Sequence, residues 1–381
     1  MEDILILSAT RTPIGSISGA LAGYTAPQLG GKAIAGALAK AGVKPEELGE
    51  VVMGQVIAGG SGQAPARQAM IAAGVPVSVG ATTVNKVCGS GLKAVMMVGQ
   101  SIRLGEISIG LGGGMESMTK APFLLDKARG GYRYGNATMM DSILRDGLID
   151  PYSGGHMGDC GELCAKTHAI TREMQDEYAA RSYQRAQAAQ ASGAFAAELT
   201  AVDEVTADEE PGRAKLDKMA KLKPAFTPTG TITAANASKL NDGAAAVVLA
   251  SPKGAAGRKP LARVVDWATF SQEPQWFTTA PADAIKKLLA KTGWSADSVD
   301  LWEVNEAFSV VSLAVMKLAG LPGDKVNVNG GAVALGHPLG ASGARILATL
   351  VHALRARGGK RGVAAICLGG GEALALAVET V

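Results

Sequence analysis

Short apolar runs alternate with longer Ala- and Leu-rich stretches of helical spacing along most of the chain, and this predicts strands followed by helices. Buried strands that alternate with helices are typical of parallel sheets, so the pattern favours a mostly parallel α/β fold. The predicted strands are 4–8, 50–53, 108–112, 245–249, 261–267 and 362–368. The predicted helices are 28–41, 89–103, 282–292, 309–319 and 342–357.

The strand–helix order occurs twice, and short similar segments mark the two copies. Leu-Gly-Gly-Gly stands at 111–114 and again at 368–371, and ELGEVVMG at 47–54 parallels SVDLWEVN at 298–305. We therefore predict duplicated βαβαβ halves, 1–118 and 261–381, with the first completed by about residues 240–260. The intervening residues 119–239 break the pattern and are interpreted as an inserted loop domain with a helix near 171–192.

Composition narrows the class of protein. With 47% hydrophobic and 19% charged residues, the chain has too much apolar surface to stay disordered, and 381 residues suggest two or three compact units. A net charge of +3 is too weak to favour nucleic acid, and no apolar run is long enough to span a membrane. Four scattered cysteines and an acidic start without a secretory pattern lead us to expect a cytoplasmic protein with reduced thiols.

Cys88 is the first candidate for chemistry, because it lies where the helix 89–103 is predicted to begin. Unpaired N–H groups and the dipole at a helix start favour a thiolate, so we expect a lowered thiol pKa and a nucleophile. Gly89 and Gly91 leave space for an acyl group whose carbonyl oxygen could meet backbone N–H groups. The alternative is a small buried hydrophobic residue, as most free cysteines are.

His337 is the second candidate, in a glycine-rich turn between a predicted strand and the helix 342–357. Gly336, Pro338 and Gly340 fix the backbone and remove nearby bulk, which suits an imidazole that points into a cavity. Such an imidazole can act as base to a thiol and as donor to an oxyanion. The alternative is a hydrogen-bonded loop histidine without a chemical role.

Cys367 is the third candidate, at the end of the buried strand 362–368 and before a run of three glycines. A second thiol could act as general acid or base if its pKa were near the working pH. The alternative is a packed core cysteine. Asn305 and Glu306 lie between an apolar strand pattern and an apolar helix pattern, where they could orient a water or ligand or cap the helix.

Two other patterns are excluded as sites. His156, Cys160, Cys164 and His168 recur every four residues, but on one helix the ends of such a series stand ~18 Å apart and cannot meet at one metal ion. The glycine runs contain neither G-x-G-x-x-G after a strand nor G-x-x-x-x-G-K-[ST]. We expect no metal and no bound nucleotide cofactor.

Taken in order, the motifs of the chain resemble the thiolase family, and within it the biosynthetic acetyl-CoA acetyltransferase branch. The opening Ser8-Ala-Thr-Arg-Thr-Pro-Ile-Gly15 also fits this family, and the resemblance covers essentially the full length. The motifs are Asn85-Lys-Val-Cys-Gly-Ser-Gly-Leu-Lys93, Asn305-Glu-Ala-Phe308, Asn329-Gly-Gly-Ala332, Gly336-His-Pro-Leu-Gly-Ala-Ser-Gly343 and Cys367-Leu-Gly-Gly-Gly371.

The resemblance implies a fold, an assembly and a reaction. The fold would be the thiolase fold, with its two halves stacked in five αβαβα layers and an inserted α/β loop domain that binds coenzyme A and makes oligomer contacts. A homotetramer is expected. The reaction would be the reversible Claisen condensation of two acetyl-CoA to acetoacetyl-CoA and CoA, in which coenzyme A is substrate and product and no metal or redox cofactor takes part.

The resemblance also implies roles for single residues. Cys88 would take the acyl group, and His337 would activate it and help hold the thioester oxygen, together with a water that Asn305 would fix. Cys367 would exchange the α-proton, and the amides of Cys88 and Gly369 would form a second oxyanion hole. Further residues would contact coenzyme A or the acyl group: Leu148, His156, Met157, Arg213, Lys218, Phe226, Ala234, Ser238, Leu240, Phe277, Ala307 and Phe308.

Three alternatives remain open at this point. Within the family, the chain could be a broader-range 3-ketoacyl-CoA thiolase of fatty-acid or branched-chain breakdown. Outside it, a decarboxylating ketosynthase for carrier-bound malonyl groups would use histidines where this chain has Asn305 and Cys367. A catalytically silent CoA-binding scaffold would need neither thiol.

Overall fold

The structure is a computed structural model, and it describes residues 2–381. Its strands are β1 Ile4–Arg11, β2 Gly15–Ser16, β3 Glu50–Gly54, β4 Gly80–Val84, β5 Ile109–Ser117, β6 Phe123–Leu124, β7 Met140–Asp141, β8 Asn241–Ala250, β9 Ala262–Ser271, β10 Leu301–Val304, β11 Arg361–Leu368 and β12 Glu372–Thr380. Its α-helices are α1 Ala26–Ala41, α2 Pro65–Ala72, α3 Ser90–Arg103, α4 Met157–His168, α5 Arg172–Ala191, α6 Glu210–Arg213, α7 Ala280–Thr292, α8 Ser309–Ala319, α9 Ala332–Leu335 and α10 Leu339–Arg357. Shorter turns are the 3-10 helices Pro45–Glu47, Leu216–Lys221, Pro274–Trp276 and Ala296–Ser298 and the π-helical Ile143–Leu148.

The large sheet runs in the order β10-β11-β12-β9-β1-β8-β5-β3-β4 and is mixed. Parallel pairing is confined to β3 with β4 and β5 and to β10 with β11, while the other neighbours are antiparallel. The prediction of a mostly parallel sheet is therefore wrong. The hairpin between β11 and β12 and the long return to β8 reverse the chain direction, and hydrophobic spacing does not report direction.

The five layers expected of the fold are confirmed. Helices α1 and α2 pack on the outer face of the first half of the sheet, and α7 and α8 pack on the outer face of the second half. Between the halves lie α3 and α10, whose apolar side chains share one core with β1, β8, β9, β11 and β12. The halves meet where β1 pairs with β9 over three residues, so the sheet continues from one half into the other.

Local sequence explains where several elements begin and end. Helix α1 starts after Thr25, whose side chain forms a capping box with Gln28, and ends at Gly42 in the left-handed region with φ 60°. Helix α5 starts at Arg172 after the cap Thr171 and ends at Ala191, close to the predicted helix 171–192. Strand β12 was missed because its Ala- and Leu-rich sequence is prone to helix, whereas pairing with both β11 and β9 holds it extended.

The inserted segment is fastened to the rest of the protein by charge and by apolar packing. Buried Arg11 of β1 donates to Glu198 at 2.6 Å and to Asp208 at 2.7 Å and 2.9 Å. Helix α5 packs its alanines and Tyr183 against Val333, Ala334 and Leu335 of α9, directly before the turn that carries His337. The segment 119–239 therefore packs against the helix that directly precedes the His337 turn.

Within residues 2–381, no helix is both long enough and apolar enough to cross a lipid bilayer.

Candidate active site

The candidate residues gather where parallel strands of both halves end. Strand β4 leads into the turn that carries Cys88, and its neighbour β3 lies beside it in parallel register. In the second half, β10 leads into Asn305 and the parallel neighbour β11 ends with Cys367 and Leu368. Carboxyl ends of parallel strands are the usual position for a ligand site in such sheets, so each half supplies one edge of the same site.

The Cys88 turn is held in an uncommon backbone conformation. Val87 has φ 45°, a left-handed geometry that a β-branched residue rarely adopts. Its N–H donates to Asn85 Oδ1 at 2.9 Å, and its carbonyl accepts from Ser90 Oγ at 2.6 Å. These hydrogen bonds hold the turn in its strained conformation and place Cys88 just before α3. Strained backbone that is held in this way is common at functional sites.

Burial reverses the expected direction of the Cys88 pKa. Removal of the thiolate from water raises the pKa of Cys88 to about 12, and the charge of Glu116 acts in the same direction. The N–H groups of Cys88 and Gly369 both face the sulfur and act to lower the pKa, but by less than burial raises it. The prediction of a lowered pKa from the helix start is wrong for the free protein, where Cys88 is a thiol at neutral pH.

Alkylation of Cys88 by iodoacetamide is therefore expected to rise about tenfold per pH unit across the neutral range, without a plateau, because the thiolate fraction grows in that proportion below the pKa. Mass-spectrometric rates at Cys88 between mildly acidic and alkaline pH measure this. Cys160 on α4, a buried thiol whose pKa burial raises to about 11, is the internal comparison. A rate at Cys88 that levels off near neutral pH would contradict the raised pKa.

Cys367 lies close to Cys88 but comes from the other half. Its side chain is buried, and burial together with the charge of a Cys88 thiolate raises its pKa. The turn after it is tight, since a Cβ on Gly371, which has φ +83°, would lie 2.3 Å from the carbonyl oxygen of Gln272. An ion pair between Lys86 and Glu372 ties the Cys88 turn to β12, beside the Cys367 strand.

His337 is fixed at its backbone and at one ring nitrogen. Its N–H donates to Asn241 Oδ1 at 2.9 Å, and Gly336 has no room for a Cβ because Asn241 atoms would lie within 2.4–2.7 Å. The Nδ1 atom lies 2.6 Å from Ser342 Oγ, and that hydroxyl donates to the carbonyl of Pro338 at 2.9 Å. Ser342 therefore accepts from Nδ1–H, which leaves the lone pair on Nε2.

The Nε2 atom is the reactive end of this imidazole. It is buried without a hydrogen-bond partner among the described residues, and His337 lines a cavity of about 430 Å³, called the main cavity below. Burial and the charge of Arg345 lower the pKa of His337 to about 3, so the ring is neutral at physiological pH. A neutral imidazole with a free Nε2 lone pair can accept a proton from a thiol.

Ser342→Ala is expected to lower kcat about ten- to a hundredfold with little change in KM, because the ring then loses the partner that selects the Nδ1–H tautomer. Steady-state kinetics at several pH values measure it. Ser101→Ala is the matched control, since Ser101 Oγ also bonds a carbonyl four residues back, that of Met97, and lies at the end of α3 opposite Cys88. Equal kcat values for the two variants would contradict a role of Ser342 in selecting the Nδ1–H tautomer of His337.

Asn305 presents an unusual pair of free polar atoms. Asn305 is buried, and neither its side-chain Oδ1 nor its Nδ2 has a hydrogen-bond partner within residues 2–381. Its backbone N–H donates to the carbonyl of Ala365 in β11 at 2.9 Å. A buried amide with both ends free can hold one water or ligand group. The neighbouring Glu306 is engaged elsewhere, accepting from Tyr178, Ser182 and Asn327.

Glu116, at the end of β5, is a buried carboxyl group that joins this strand to two other segments of the site. It accepts from the N–H groups of Val56 at 2.9 Å, Ile57 at 3.2 Å and Gly340 at 2.9 Å. Burial raises its pKa to about 7, although these donors act against that shift. The carboxylate ties the end of β5 to the first turn of α10, directly after the His337 loop.

A cavity of about 430 Å³ opens onto His337, and the segment predicted to bind coenzyme A forms much of its wall. The predicted residues that line it are Leu148, His156, Phe226, Ala234, Ser238, Leu240 and Phe308. Leu148 is the last residue of the π-helical turn Ile143–Leu148. The ring centroids of His156 and Phe226 lie 4.6 Å apart. Cys88, Leu148 and Leu240 all pack against one small apolar cluster that includes Met118 and Leu339, two residues of the cavity wall, so the thiol lies near this wall.

The other predicted contacts lie around this cavity. Met157 and Ala307 are buried beside it, since Met157 Sδ approaches Gly369 and the Ala307 carbonyl accepts from Ser238 N–H at 3.0 Å. Arg213 and Lys218 line an adjoining cavity of about 250 Å³, where Arg213 pairs with Glu209 at 2.8 Å. Phe277 is not in the cavity wall; it is buried in the core of the second half.

The four-residue series on α4 has ordinary structural roles. His156 is the N-cap and accepts from Gly158 N–H at 2.9 Å, while Cys160 and Cys164 are buried in the core. His168, at the other end of α4, meets Trp276 edge-on at 6.3 Å. In the described part of the chain, no group of three or more His, Cys, Asp or Glu side chains is placed to hold a metal ion.

Two thiols and a free amide at the strand ends of the two halves, with a free imidazole nitrogen on a residue that lines the cavity, form a set of groups suited to acyl-transfer chemistry. Comparison with known proteins gives the family. The thiolase N-terminal domain model matches residues 4–253 and the thiolase C-terminal domain model matches residues 258–380. The chain belongs to the thiolase family.

Relatives and a solved structure match along the whole chain. An acetyl-CoA acetyltransferase of Cupriavidus necator is 49% identical over 391 residues, with 100% of both chains covered. A cytosolic acetyl-CoA acetyltransferase of Gibberella zeae is 48% identical, covering 100% of this chain and 99% of its own. The crystal structure of the Acat5 thiolase from Ascaris suum in complex with coenzyme A is similar with a TM-score of 0.97 and 46% identity, and covers 100% of both chains.

Three residues that support the site were not assigned a role from the sequence: Ser342, Glu116 and Asn241. The last two could have been suspected, because each lies near one end of a fully buried strand that consists mostly of Gly, Ala and apolar residues. Ser342 gave no such indication, since its contact with His337 depends on how the turn meets α10.

Proposed function

We propose that this protein is an acetyl-CoA C-acetyltransferase that interconverts two acetyl-CoA with acetoacetyl-CoA and CoA through an acetyl-Cys88 intermediate. One observation carries the proposal: the two thiols, Cys88 and Cys367, come from different halves and lie close enough that the charge of a Cys88 thiolate raises the pKa of Cys367. A Claisen step needs an acyl acceptor and a separate base for carbon, and the pair supplies both. The names of the relatives agree with this reaction.

In the first half-reaction, His337 Nε2 takes the proton of Cys88, and the thiolate attacks the thioester carbonyl of acetyl-CoA. The N–H groups of Cys88 and Gly369 would form one oxyanion hole, and a water held by Asn305, together with His337, would hold the thioester oxygen in the other. The C–S bond to CoA then breaks. Cys367 gives its proton to the leaving CoA sulfur, which yields free CoA, acetyl-Cys88, protonated His337 and a Cys367 thiolate.

In the second half-reaction, the Cys367 thiolate removes the α-proton of a new acetyl-CoA. The resulting carbanion attacks the acetyl-Cys88 carbonyl, the new carbon–carbon bond forms, and Cys88 leaves as a thiolate that protonated His337 restores to a thiol. This order suits the raised pKa of Cys367, because burial keeps the group protonated until CoA departure takes the proton. Neither half-reaction needs a metal or redox cofactor.

The wider assignments follow the same proposal. The residues 119–239 would form the coenzyme A-binding loop domain between the duplicated halves, with Arg213 or Lys218 nearest the phosphates. We propose a homotetramer, which molecular mass in solution tests, and a cytoplasmic location, as the name of the Gibberella zeae relative states for that protein. Fractionation of the source cells tests the location.

The test of the proposed function is a side-by-side measurement of CoA-dependent cleavage of acetoacetyl-CoA and 3-ketooctanoyl-CoA. Cleavage confined to acetoacetyl-CoA is the expected result. Comparable rates on both would instead assign the protein to the broad-range 3-ketoacyl-CoA thiolases. Absence of cleavage on both, with correctly folded protein, would contradict the proposal and favour a CoA-binding scaffold.

A further inference from the structure

Lys239 is a lysine whose ammonium group turns inward, between the main cavity and the adjoining one. Its Nζ atom donates to Tyr183 Oη at 2.7 Å, to the Ala237 carbonyl at 2.9 Å and to the Val333 carbonyl at 3.3 Å. The three donors of an ammonium group are therefore each directed at an oxygen. The role of this lysine in the site was not apparent from the sequence.

All three partners are neutral oxygens, which is unusual for an inward-turned lysine. The carboxylates of Glu210 and Glu306 act on the ammonium group only through longer-range attraction, and burial lowers the pKa of Lys239 to about 8. A charge removed from water is normally matched by a carboxylate in contact. Two backbone carbonyls and a hydroxyl instead resemble the oxygen shell of a small monovalent cation.

The three oxygens belong to three separate segments that wall the site. Tyr183 is on α5 of the inserted segment, and Val333 is on α9, four residues before His337. Ala237 precedes Ser238, which lines the cavity and whose N–H donates to the Ala307 carbonyl at 3.0 Å. Two of the three oxygens are carbonyls, which would repel one another if no positive charge lay between them.

We propose that Lys239 is a tethered monovalent cation that holds these three segments together and thereby shapes the acyl-CoA cavity. It is a positioning residue and takes no part in proton transfer. The consequence is specific: a side chain too short to reach the oxygens should leave a site that a free cation of ammonium size can fill. The role assigned to the cavity rests on the proposed function, whereas the cation site itself does not.

The test is Lys239→Ser in buffers that contain only tetramethylammonium salts. We expect KM for acetoacetyl-CoA to rise roughly tenfold, the effect of about one hydrogen bond to a charged group, with a smaller change in kcat. Ammonium or potassium chloride at equal ionic strength should return KM to within about twofold of the wild-type value, since binding to the folded state restores the contacts by mass action. Wild-type KM should not respond to these salts.

Two variants and one further readout complete the design. Lys239→Met fills the space with an apolar chain and should not be rescued, and Lys253→Ser removes an exposed lysine and should behave as wild type. Thermal unfolding of Lys239→Ser should show stabilisation by ammonium and potassium, but not by tetramethylammonium, whether or not the protein is a thiolase. A Lys239→Ser protein that keeps wild-type KM, or whose unfolding temperature ignores these cations, overturns the proposal.

Discussion

Cys88→Ala is expected to lower the rate of acetoacetyl-CoA cleavage by about 10⁴-fold or more, because the covalent route loses its nucleophile and no other thiol occupies its position. Intact-mass analysis should find no acetyl group on the variant after incubation with acetyl-CoA, whereas the wild-type protein gains one. The fold should survive, because alanine is smaller than cysteine and the turn is held by the hydrogen bonds of Asn85 and Ser90.

Cys160→Ala is the matched control for this variant. It removes another free thiol, on α4, that takes no part in the proposed reaction, so its cleavage rate should stay near that of the wild type. Peptide mapping of the acetylated wild-type protein then locates the acetyl group. Normal turnover by Cys88→Ala, or an acetyl group on a different residue, would show that the covalent scheme is incorrect.

Cys367→Ala is expected to separate the two half-reactions. Acetylation of Cys88 by acetyl-CoA should persist within about tenfold, because a thiolate is a good leaving group and needs little help from an acid. Carbon–carbon bond formation and cleavage should fall about 10³-fold, within the range for loss of a general base, because no other group is placed to remove the α-proton. Rapid-quench acetylation and steady-state cleavage, measured on the same preparation, give the two numbers.

Cys164→Ala is the control for removal of a buried thiol near this site, since Cys164 is buried in the same core cluster as Cys367. Both steps should proceed at close to wild-type rates in it. If Cys367→Ala lost acetylation and condensation to the same extent, Cys367 would be acting on the nucleophile or on the local structure. If it kept both, another group would have to be the carbon base.

The sequence predicted local elements well and the relations between distant ones poorly. Helix α8 was predicted with its observed bounds, and α1 began two residues earlier than predicted, at a cap that its own sequence contains. Strand direction and the existence of β12 depend on which strand meets which, and hydrophobic spacing carries no information on that. The mixed sheet was therefore missed.

In the site too, local features could be predicted from the sequence, whereas features that depend on contacts between distant residues could not. Cys88, His337 and Cys367 stood out because glycine-rich turns surround each of them at the end of an element. The pKa direction of Cys88 was wrong because helix starts are visible in a sequence, whereas the burial that opposes them is produced by residues far away along the chain. Lys239 and Ser342 were missed for the same reason, as their meaning depends on contacts with Val333 and with the ring of His337.

Because β1 pairs edge to edge with β9, the two halves share one sheet, and the site depends on residues from both of them. The proposed nucleophile, Cys88, belongs to one half of the molecule and the proposed carbon base, Cys367, to the other, and α3 and α10 are buried between them. Neither half, made as a separate chain, contains a complete catalyst. On the proposed mechanism, two inert fragments would gain activity only by docking along this seam, because each half holds a different one of the two thiols that the reaction needs.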